Sequence, residues 1–425
     1  MKWPEVILGD VCSKIGSGAT PKGGSTVYIE DGTSFIRSQN VYNLRFDYDG
    51  LVHITEDAAQ KLNGVTIEKQ DVLINITGDS VARTCVVPSS VLPARVNQHV
   101  AIIRPKPDVL NPLFLNYYLA SPYMQAFMLG LAVGKGASRN AMTKDMIAGF
   151  KIPCPPIRIQ EAIVKKASAY DDLIENNKKQ IALLEEAAQR LYKEWFVDLR
   201  FPGYEDVQIV DGVPEGWNEK LLCDVISYEI GGGWGEEFET GNNEHEAYVI
   251  RGTDFDGLKN GNFLSIPLRF HTERNLSSRK LEHGDIVFEV SGGSRTEGVA
   301  RTVRINEEML NRWHKPVMCA SFCKLIRPLS VDLSQYLFDH LRYLRSEKIT
   351  EEFDKRSASS IVNFRWKDFL SQRTILYPDS SVLGKYNSIA VPLYDRLVSL
   401  SLQIETAKQA RDRLLPKLMS GEIEL

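Results

Sequence analysis

Apolar residues recur at alternating spacings of three and four over two long stretches of the chain. Positions 167 to 195 give Ala, Tyr, Ile, Asn, Ile, Leu, Ala, Leu and Trp at this spacing, with Asn177 as the polar exception. Positions 390 to 418 give Ala, Leu, Leu, Leu, Ile, Ala, Arg, Leu and Leu, with Arg411 as the exception. Such spacing is the seam of a coiled coil, so the sequence predicts two long helices that form an antiparallel coiled coil with each other. The side chains predicted to form this pair are Tyr170, Ile174, Ile181, Leu184, Leu191, Trp195, Leu393, Leu397, Leu400, Ile404, Leu414 and Leu418.

Shorter apolar runs lie between Gly, Pro and Asp residues ahead of each long helix. The predicted strands cover residues 72–76, 99–103, 285–290 and 324–326, and the predicted shorter helices cover 114–131 and 333–353. Runs of this length between turn residues are typical of strands. The sequence therefore predicts an α+β chain of two similar mixed α/β domains, each followed by a long helix.

An internal repeat explains why the predicted elements occur twice. Residues 81–84, Val-Ala-Arg-Thr, recur letter for letter at 299–302, and residues 103–105, Ile-Arg-Pro, recur at 326–328. Matches ahead of these keep an offset of 214 residues, until a four-residue insertion in the second copy. The predicted organisation is a first domain at 1–155, a central long helix at 156–200, a linker at 201–216, a second domain at 217–378 and a C-terminal long helix at 379–425.

Composition and charge narrow the class of protein. The 425 residues include 51 Lys and Arg against 55 Asp and Glu, a net charge of −4, which excludes a uniformly basic nucleic-acid binder. Basic residues are nevertheless clustered, because Asp108 is the one acid between Asp79 and Asp145. The sequence has no run of 18 apolar residues and no apolar leader, and its six cysteines are scattered. We therefore expect a cytoplasmic protein with reduced thiols and no membrane association.

Four motifs resemble those of one family. Arg411–Ile423 is similar to the characteristic C-terminus of the specificity (S) subunits of type I restriction-modification systems, and Arg190–Phe196 resembles the end of their central helical region. Gly18–Pro21 and Pro155–Ile163 also resemble marks of this family. The order of domain, helix, domain and helix is similar as well, so the resemblance covers essentially the whole chain.

The resemblance implies a protein with no catalytic activity and no cofactor of its own. Its two domains would be target recognition domains that bind a bipartite duplex DNA target at a spacing fixed by the long helices. Two modification subunits would bind it and methylate adenine N6 with S-adenosylmethionine, and restriction subunits would join them and use ATP and Mg²⁺ for cleavage. The helix pattern agrees with this expectation, because a coiled coil fixes a distance better than a flexible linker does.

Basic and amide side chains in the loops of both domains are the candidates for DNA contact. Arg and Lys bind phosphate and guanine, whereas Asn and Gln pair with adenine. The predicted DNA-binding residues are Lys22, Arg37, Gln39, Asn40, Arg83, Lys135, Arg139, Asn140, Arg251, Arg295, Arg301, Lys355, Arg356 and Arg365. Arg83 and Arg301 belong to the identical repeat, so we expect them to hold phosphate or the structure. Base selection is expected where the copies differ, for example at 23–33 and 236–246.

No catalytic or metal site is predicted. Asn111–Phe114 lacks the second proline of an amino-methyltransferase loop, and Gly231–Gly235 lacks the lysine of a phosphate-binding loop. His314, Cys319 and Cys323 could supply three metal ligands, but their spacing favours buried thiols. One alternative class stays open, namely a coiled-coil scaffold that organises protein partners without sequence-specific DNA binding.

Overall fold

The structure is a computed structural model that describes residues 3–133, 141–292, 298–356 and 361–423, with the side chain of Arg356 excepted. The chain divides into two compact units. Unit 1 comprises residues 1–172 and 408–425, and unit 2 comprises residues 173–407. The first long helix is Ile157–Tyr192 and the second is Ser380–Ser420, so each helix contributes residues to both units.

Unit 1 is built on a four-stranded antiparallel sheet and a five-stranded mixed sheet. The four-stranded sheet has the order Thr84–Val86, Val72–Asn75, Val100–Pro105, Cys12–Ser17. The mixed sheet has the order Tyr28–Ile29, Val52–Ile54, Thr33–Ile36, Ala94–Val96, Thr66–Ile67. Two further pairs join Glu5–Ile7 to Lys151–Pro153 and Val41–Tyr42 to Arg45–Phe46, and the shorter helices are Glu56–Lys61, Pro112–Leu119, Pro122–Ala132 and Lys144–Ala148.

The segment 114–131, predicted as one helix, forms two. The first ends at Leu119 and the second begins at Pro122. Ser121 caps the second helix by accepting a hydrogen bond from the amide of Met124, and Pro122 occupies the first helical position, where no amide hydrogen is needed. The prediction of a continuous helix is therefore wrong, because a serine cap followed by proline starts a new helix.

Unit 2 repeats this plan with smaller sheets. Its four-stranded antiparallel sheet has the order Thr302–Arg304, Ile286–Glu289, Cys323–Pro328, Ile226–Gly231. Its three-stranded sheets have the orders Leu268–His271, His245–Ile250, Val317–Cys319 and Ser291–Gly292, Val362–Phe364, Asp354–Arg356, and its two-stranded pairs are Asn218–Leu221 with Thr374–Tyr377 and Ile209–Val210 with Val213–Pro214. Its shorter helices are Phe255–Lys259, Glu273–Arg279, Glu307–Arg312, Val331–Ser346 and Trp366–Gln372.

The strand register shows that the two copies fold alike. In the four-stranded sheet of unit 1, Val100 pairs with Asn75, and in unit 2 Cys323 pairs with Glu289. Among the described residues, each unit also contains one parallel strand pair, in a sheet that is otherwise antiparallel. Residues matched by the sequence repeat therefore occupy equivalent places in the two units, and the predicted α+β class is confirmed.

The two long helices pack against each other and run antiparallel within each unit. In unit 2, Asn177 Nδ2 donates to Gln403 Oε1 at 3.3 Å, whereas the later residue Trp195 contacts the earlier residue Tyr386 with ring centroids 5.8 Å apart. In unit 1, residues from the start of the first helix share a core with residues from the end of the second. This antiparallel packing of the two helices buries the apolar side chains of both seams.

The seam side chains lie in the contact between the helices or in the adjoining cores. Ile174, Ile181, Trp195, Leu397, Leu400, Ile404 and Leu418 are buried, and Tyr170, Leu184, Leu191, Leu393 and Leu414 are half-buried. The polar exceptions are partnered. Asn177 is 2 % exposed and bonds to Gln403, and Arg411 Nη1 donates to Asp171 Oδ1 at 2.5 Å. Tyr117 donates to the second oxygen of Asp171, so this carboxylate joins Arg411 to the domain beside it.

The same buried ion pair occurs in both units. In unit 1, Arg104 donates to both oxygens of Asp71 at 2.7 and 2.8 Å, and Asp71 also accepts from the amide of Glu68 at 2.7 Å. In unit 2, Arg327 binds both oxygens of Asp285 at 2.8 Å. These contacts explain two matches of the sequence repeat, because each arginine follows the isoleucine of a repeated Ile-Arg-Pro run and each aspartate opens a central strand.

Aromatic side chains join the end of the first long helix to unit 2. Tyr192, Phe196 and Tyr336 pack together, and the hydroxyl of Tyr192 lies 2.6 Å from Nδ1 of His340. His340 is 7 % exposed, and burial lowers the pKa of its imidazole to about 4. The ring is therefore neutral at pH 7.

This buried histidine predicts a pH dependence of stability. Because the unfolded chain binds a proton on His340 near pH 6.5 and the folded chain does so only near pH 4, the unfolding free energy should fall as the pH decreases between these values, by up to about 3 kcal/mol. Burial raises the pKa of the neighbouring Asp339, which acts in the opposite direction. We expect the melting temperature of H340Q to fall less than that of the parent between pH 7 and pH 4.5. An equal fall in both proteins would contradict the assignment.

Candidate nucleic-acid interface

Two of the predicted DNA-binding arginines begin the same short turn in the two units. In unit 1, the amide of Asn40 donates to the carbonyl of Arg37 at 2.8 Å, and the amide of Arg37 donates to Oδ1 of Asn40 at 3.0 Å. In unit 2, Asp254 makes both of these contacts with Arg251, at 2.9 and 2.8 Å. The turn is closed by an amide side chain in one copy and by a carboxylate in the other.

Asn40 is fully buried and cannot reach a ligand. Its amide nitrogen donates to the carbonyls of Asp47 and Asp49 at 3.0 and 3.3 Å. The prediction that Asn40 contacts DNA is therefore wrong, because the side chain closes the turn from within. Its neighbours remain accessible, since Arg37 is half-buried and Gln39 is exposed, and both donate to the carbonyl of Gly50, at 2.5 and 3.4 Å.

The side chain of Arg251 bends back onto its own turn. Its Nε and Nη2 donate to the two oxygens of Asp254 at 2.9 and 2.7 Å, and this hydrogen bonding raises the pKa of the guanidinium. A fork of this kind fixes the plane of the arginine. The remaining guanidinium hydrogens are free of that carboxylate and can be offered to a ligand.

The identical arginines Arg83 and Arg301 have different partners. Arg83 lies over the ring of Tyr42, with 4.5 Å from its guanidinium carbon to the ring centroid. Arg301 instead donates to both oxygens of Glu289 at 2.8 and 2.7 Å and lies 3.3 Å from Asp256. The identical residue therefore has different contacts in the two copies, and its expected phosphate-binding or structural role stays a prediction.

The other predicted DNA contacts lie outside the two turns in the sequence. Lys22 and Lys355 are exposed, and Arg365 is exposed and pairs with Asp368 at 3.2 Å. Lys135, Arg139, Asn140 and Arg295 lie outside the described residues, as does the side chain of Arg356. Lys355 lies on the strand Asp354–Arg356, in the three-stranded sheet that also contains Ser291 and Gly292.

Unit 2 brings Arg251 and Arg301 together at one cleft of about 520 Å³. Trp234 and Phe322 also line this cleft, with 39 % and 56 % of their surfaces exposed. Exposed aromatic side chains beside two arginines suit the planar faces and polar edges of nucleic-acid bases. Sequence reasoning missed both aromatics because it searched for basic and amide residues, although Trp234 stands conspicuously within a run of glycines.

The described residues offer no metal centre. No three His, Cys, Asp or Glu side chains in these ranges gather in a group able to hold a metal ion. Cys319 and Cys323 are fully buried, whereas His314 is exposed, and burial raises the pKa of the Cys319 thiol to about 12. In the part of the chain that the structure describes, no helix is long and apolar enough to cross a membrane.

Comparisons with known proteins agree with this two-unit design. The family model described as the type I restriction modification DNA specificity domain matches residues 1–186. The type I restriction enzyme MjaIX specificity subunit of Methanocaldococcus jannaschii is 24 % identical over 423 residues, 97 % of this chain and 91 % of that protein. The type I restriction enzyme EcoBI specificity subunit of Escherichia coli is 27 % identical over 180 residues, 41 % of this chain and 36 % of that protein.

The fold comparison covers nearly the whole chain. The crystal structure of the type I restriction-modification system S subunit from M. genitalium aligns with a TM-score of 0.58 and 14 % identity, covering 99 % of this chain and 96 % of that one. This chain therefore has the fold of a DNA specificity subunit, with two mixed domains and two paired long helices. Its first 186 residues match the model of the type I restriction modification DNA specificity domain, and nearly its whole length is similar to a type I specificity subunit. Its function is to recognise the DNA target, and methylation and restriction are activities of partner subunits.

Proposed function

We propose that the two domains recognise the two halves of a bipartite duplex DNA target, and that the long helices set the length of the spacer between them. The observation that carries this proposal is the repeat, in which the same turn, ion pair and sheet are built twice while the surface residues beside Arg37 and Arg251 differ. Two similar recognition surfaces of different chemistry suit two half-sites of different sequence. Duplex DNA presents successive half-sites about one turn, roughly 34 Å, apart.

The proposal extends to the partners and their cofactors. We propose that two modification subunits bind this chain and methylate adenine N6 with S-adenosylmethionine, and that restriction subunits join them with ATP and Mg²⁺. In the relatives named above the specificity subunit belongs to a type I restriction enzyme. The complex would act in the cytoplasm, where its DNA is, and the six cysteines of this chain, all free thiols, suit that reducing compartment.

The first test is the methylation of the source genome. We expect one bipartite motif to carry N6-methyladenine when the gene is present and to lose it when the gene is deleted, because this chain alone selects the sequence. Single-molecule sequencing of both strains measures the motif, both half-sites and the spacer together. Restoring the gene on a plasmid is the control.

An unchanged methylation pattern, with the subunit and its modification partners expressed, would count against the proposal. The coiled-coil scaffold is the second candidate, and binding of the purified complex to duplex DNA separates the two. DNA recognition predicts affinity for the motif that falls steeply as salt rises, through release of counterions from phosphate. A scaffold would bind the motif and a scrambled duplex equally.

A further inference from the structure

The cleft of unit 2 has an equivalent surface in unit 1 whose side chains differ. Eleven residues line it. Three are identical in the first copy, where Arg37, Gly78 and Arg83 correspond to Arg251, Gly292 and Arg301. The other eight are different residues in the two copies. The two copies thus share both arginines and one glycine of this surface and differ in the other side chains.

The backbone beside both surfaces follows the same path at two matched glycines. The amides of Gly18 and Gly232 donate to equivalent carbonyls, of Val100 and Cys323, at 2.9 Å in each unit. A side chain at Gly232 would come within 2.2 Å of the carbonyl oxygen of Ala320, and one at Gly18 within 2.1 Å of a carbonyl oxygen, so both positions require glycine. The segment after each glycine therefore leaves the sheet at the same point and carries Thr20 in unit 1 and Trp234 in unit 2.

The walls of the two surfaces have opposite chemistry. In unit 2 they are aromatic, with Trp234 and Phe322 facing the cleft beside Ser321. In unit 1 the equivalent residues are Thr20, His99 and Gln98. These form a polar chain, in which Thr20 donates to Gln98, the Gln98 amide nitrogen lies 3.2 Å from Nε2 of His99, and Nδ1 of His99 lies 2.6 Å from the hydroxyl of Thr77.

The floor of the cleft, formed by Glu289 and Gly252, also differs from its equivalent in unit 1, and the backbone accommodates the difference. Glu289 is 2 % exposed and lines the cleft, and a side chain at Gly252 would lie 2.4 Å from its Oε1. The equivalent pair in unit 1 is the shorter Asn75 with Ser38, and Asn75 donates to the Ser38 carbonyl at 2.8 Å. A larger acid is thus paired with a glycine and a smaller amide with a serine. The exchange of these two residues therefore leaves the backbone at the floor in the same conformation.

We infer that this cleft selects one base pair of the second half-site, with Glu289 accepting a hydrogen bond from the exocyclic amino group of cytosine or adenine and with Trp234 and Phe322 as apolar walls. The inference rests on the proposed function. Arg301 neutralises the carboxylate and uses one acceptor position on each oxygen, which leaves further lone pairs for a base. A carboxylate accepts from an amino group and repels the acceptor edge of guanine.

The equivalent surface of unit 1 then selects a different base in the first half-site. Gln98 and His99 offer both donors and acceptors, whereas the aromatic walls of unit 2 offer the indole N–H of Trp234 as a donor and no acceptor. Asn75 is fully buried, as Asn40 is, so the floor of this surface offers a base no exposed acceptor.

The test exchanges the exposed walls of unit 2 for those of unit 1. The triple variant W234T/S321Q/F322H changes exposed side chains, and the variant E289Q keeps the size of Glu289 but removes the charge that pairs with Arg301, so the melting temperature of each variant is measured first. Purified complexes with the modification subunits are titrated with the methylated motif found in the genome and with every single base-pair change of it. We expect the parent to lose roughly tenfold to a hundredfold in affinity for a change at one position of the second half-site. Both variants should lose that discrimination and keep the discrimination of the first half-site.

The outcomes separate the inference from the proposed function. If both variants discriminate at every position of the second half-site as the parent does, or if the first half-site changes, the cleft does not select a base. If the parent itself discriminates no position, the proposed function fails instead. L264H is the matched control, because Leu264 is 64 % exposed in the same unit and does not line the cleft, and it should retain the parent's profile. Loss of discrimination in L264H would also overturn the inference.

Discussion

Four residues added to both long helices should lengthen the recognised spacer by one or two base pairs and leave both half-sites unchanged. Duplicating residues 170–173 in the first helix and 404–407 in the second keeps an apolar residue at the seam in each. Four helical residues add about 6 Å and about 400°, which is roughly 40° beyond one full turn. A base pair of DNA adds about 3.4 Å and roughly 35°. The added rise and rotation therefore both correspond to a small number of base pairs. Genome methylation by the variant measures the new spacer directly.

Two controls test the reasoning behind this expected result. Duplicating residues 170–173 alone shifts one seam against the other, so methylation at any spacer should be greatly reduced. A four-residue insertion at the exposed turn Asp211–Gly212 lies outside both helices and should leave the motif as it was. A double insertion that changed the half-site sequences, or that kept the spacer of the parent, would show that the helices do not set it.

Removing the buried ion pair of unit 1 should have the largest effect on stability. In R104M, the fully buried carboxylate of Asp71 loses both hydrogen bonds to the guanidinium, and an uncompensated buried charge of this kind typically costs about 3 kcal/mol or more. For a unit of this size, that corresponds to a melting transition lower by roughly 6–12 °C. Differential scanning calorimetry of the purified chain measures the transition.

The matched control is R45M in the same unit. Arg45 pairs with Asp47 at 3.1 Å, but its side chain is 51 % exposed, and such pairs contribute about 1 kcal/mol or less. Equal melting temperatures for R104M and the parent would mean that the repeated aspartate and arginine are dispensable for stability. The two copies would then share this aspartate and arginine for a reason other than stability.

Much of the fold could be predicted because periodicity and repetition are properties of the sequence alone. The three-and-four spacing indicated the paired helices, and the repeated Ile-Arg-Pro and Val-Ala-Arg-Thr runs indicated two copies of one domain. The break at Ser121 was missed because the apolar spacing continues across it, and only the cap and Pro122 mark the new helix. The hydrogen bond from the Met124 amide to Ser121 interrupts the helix at this point. The spacing of hydrophobic residues does not report such a hydrogen bond.

The interface was harder to predict from the sequence. Residue type suggested Asn40 as a DNA contact, but the fold turns its amide inward onto two carbonyls. Trp234 and Phe322 were missed because they are 88 residues apart in the sequence and meet only when two strands bring their ends together. The geometry of the turns decides which polar side chains point outward. Amino-acid composition does not report that geometry. The positions at which the two copies differ indicated the interface. They could be located only after both copies were compared on the same backbone.

The fit between Gly252 and Glu289 has a consequence for how such a protein can acquire a new target in evolution. A serine at position 252 would come within 2.4 Å of Oε1 of Glu289, so the carboxylate, which Arg301 holds, would have to move. We therefore expect a lineage that moves from the asparagine floor to the glutamate floor to lose the serine side chain before it gains the acid. The reverse order passes through an ancestor whose glutamate is displaced from its pairing with Arg301.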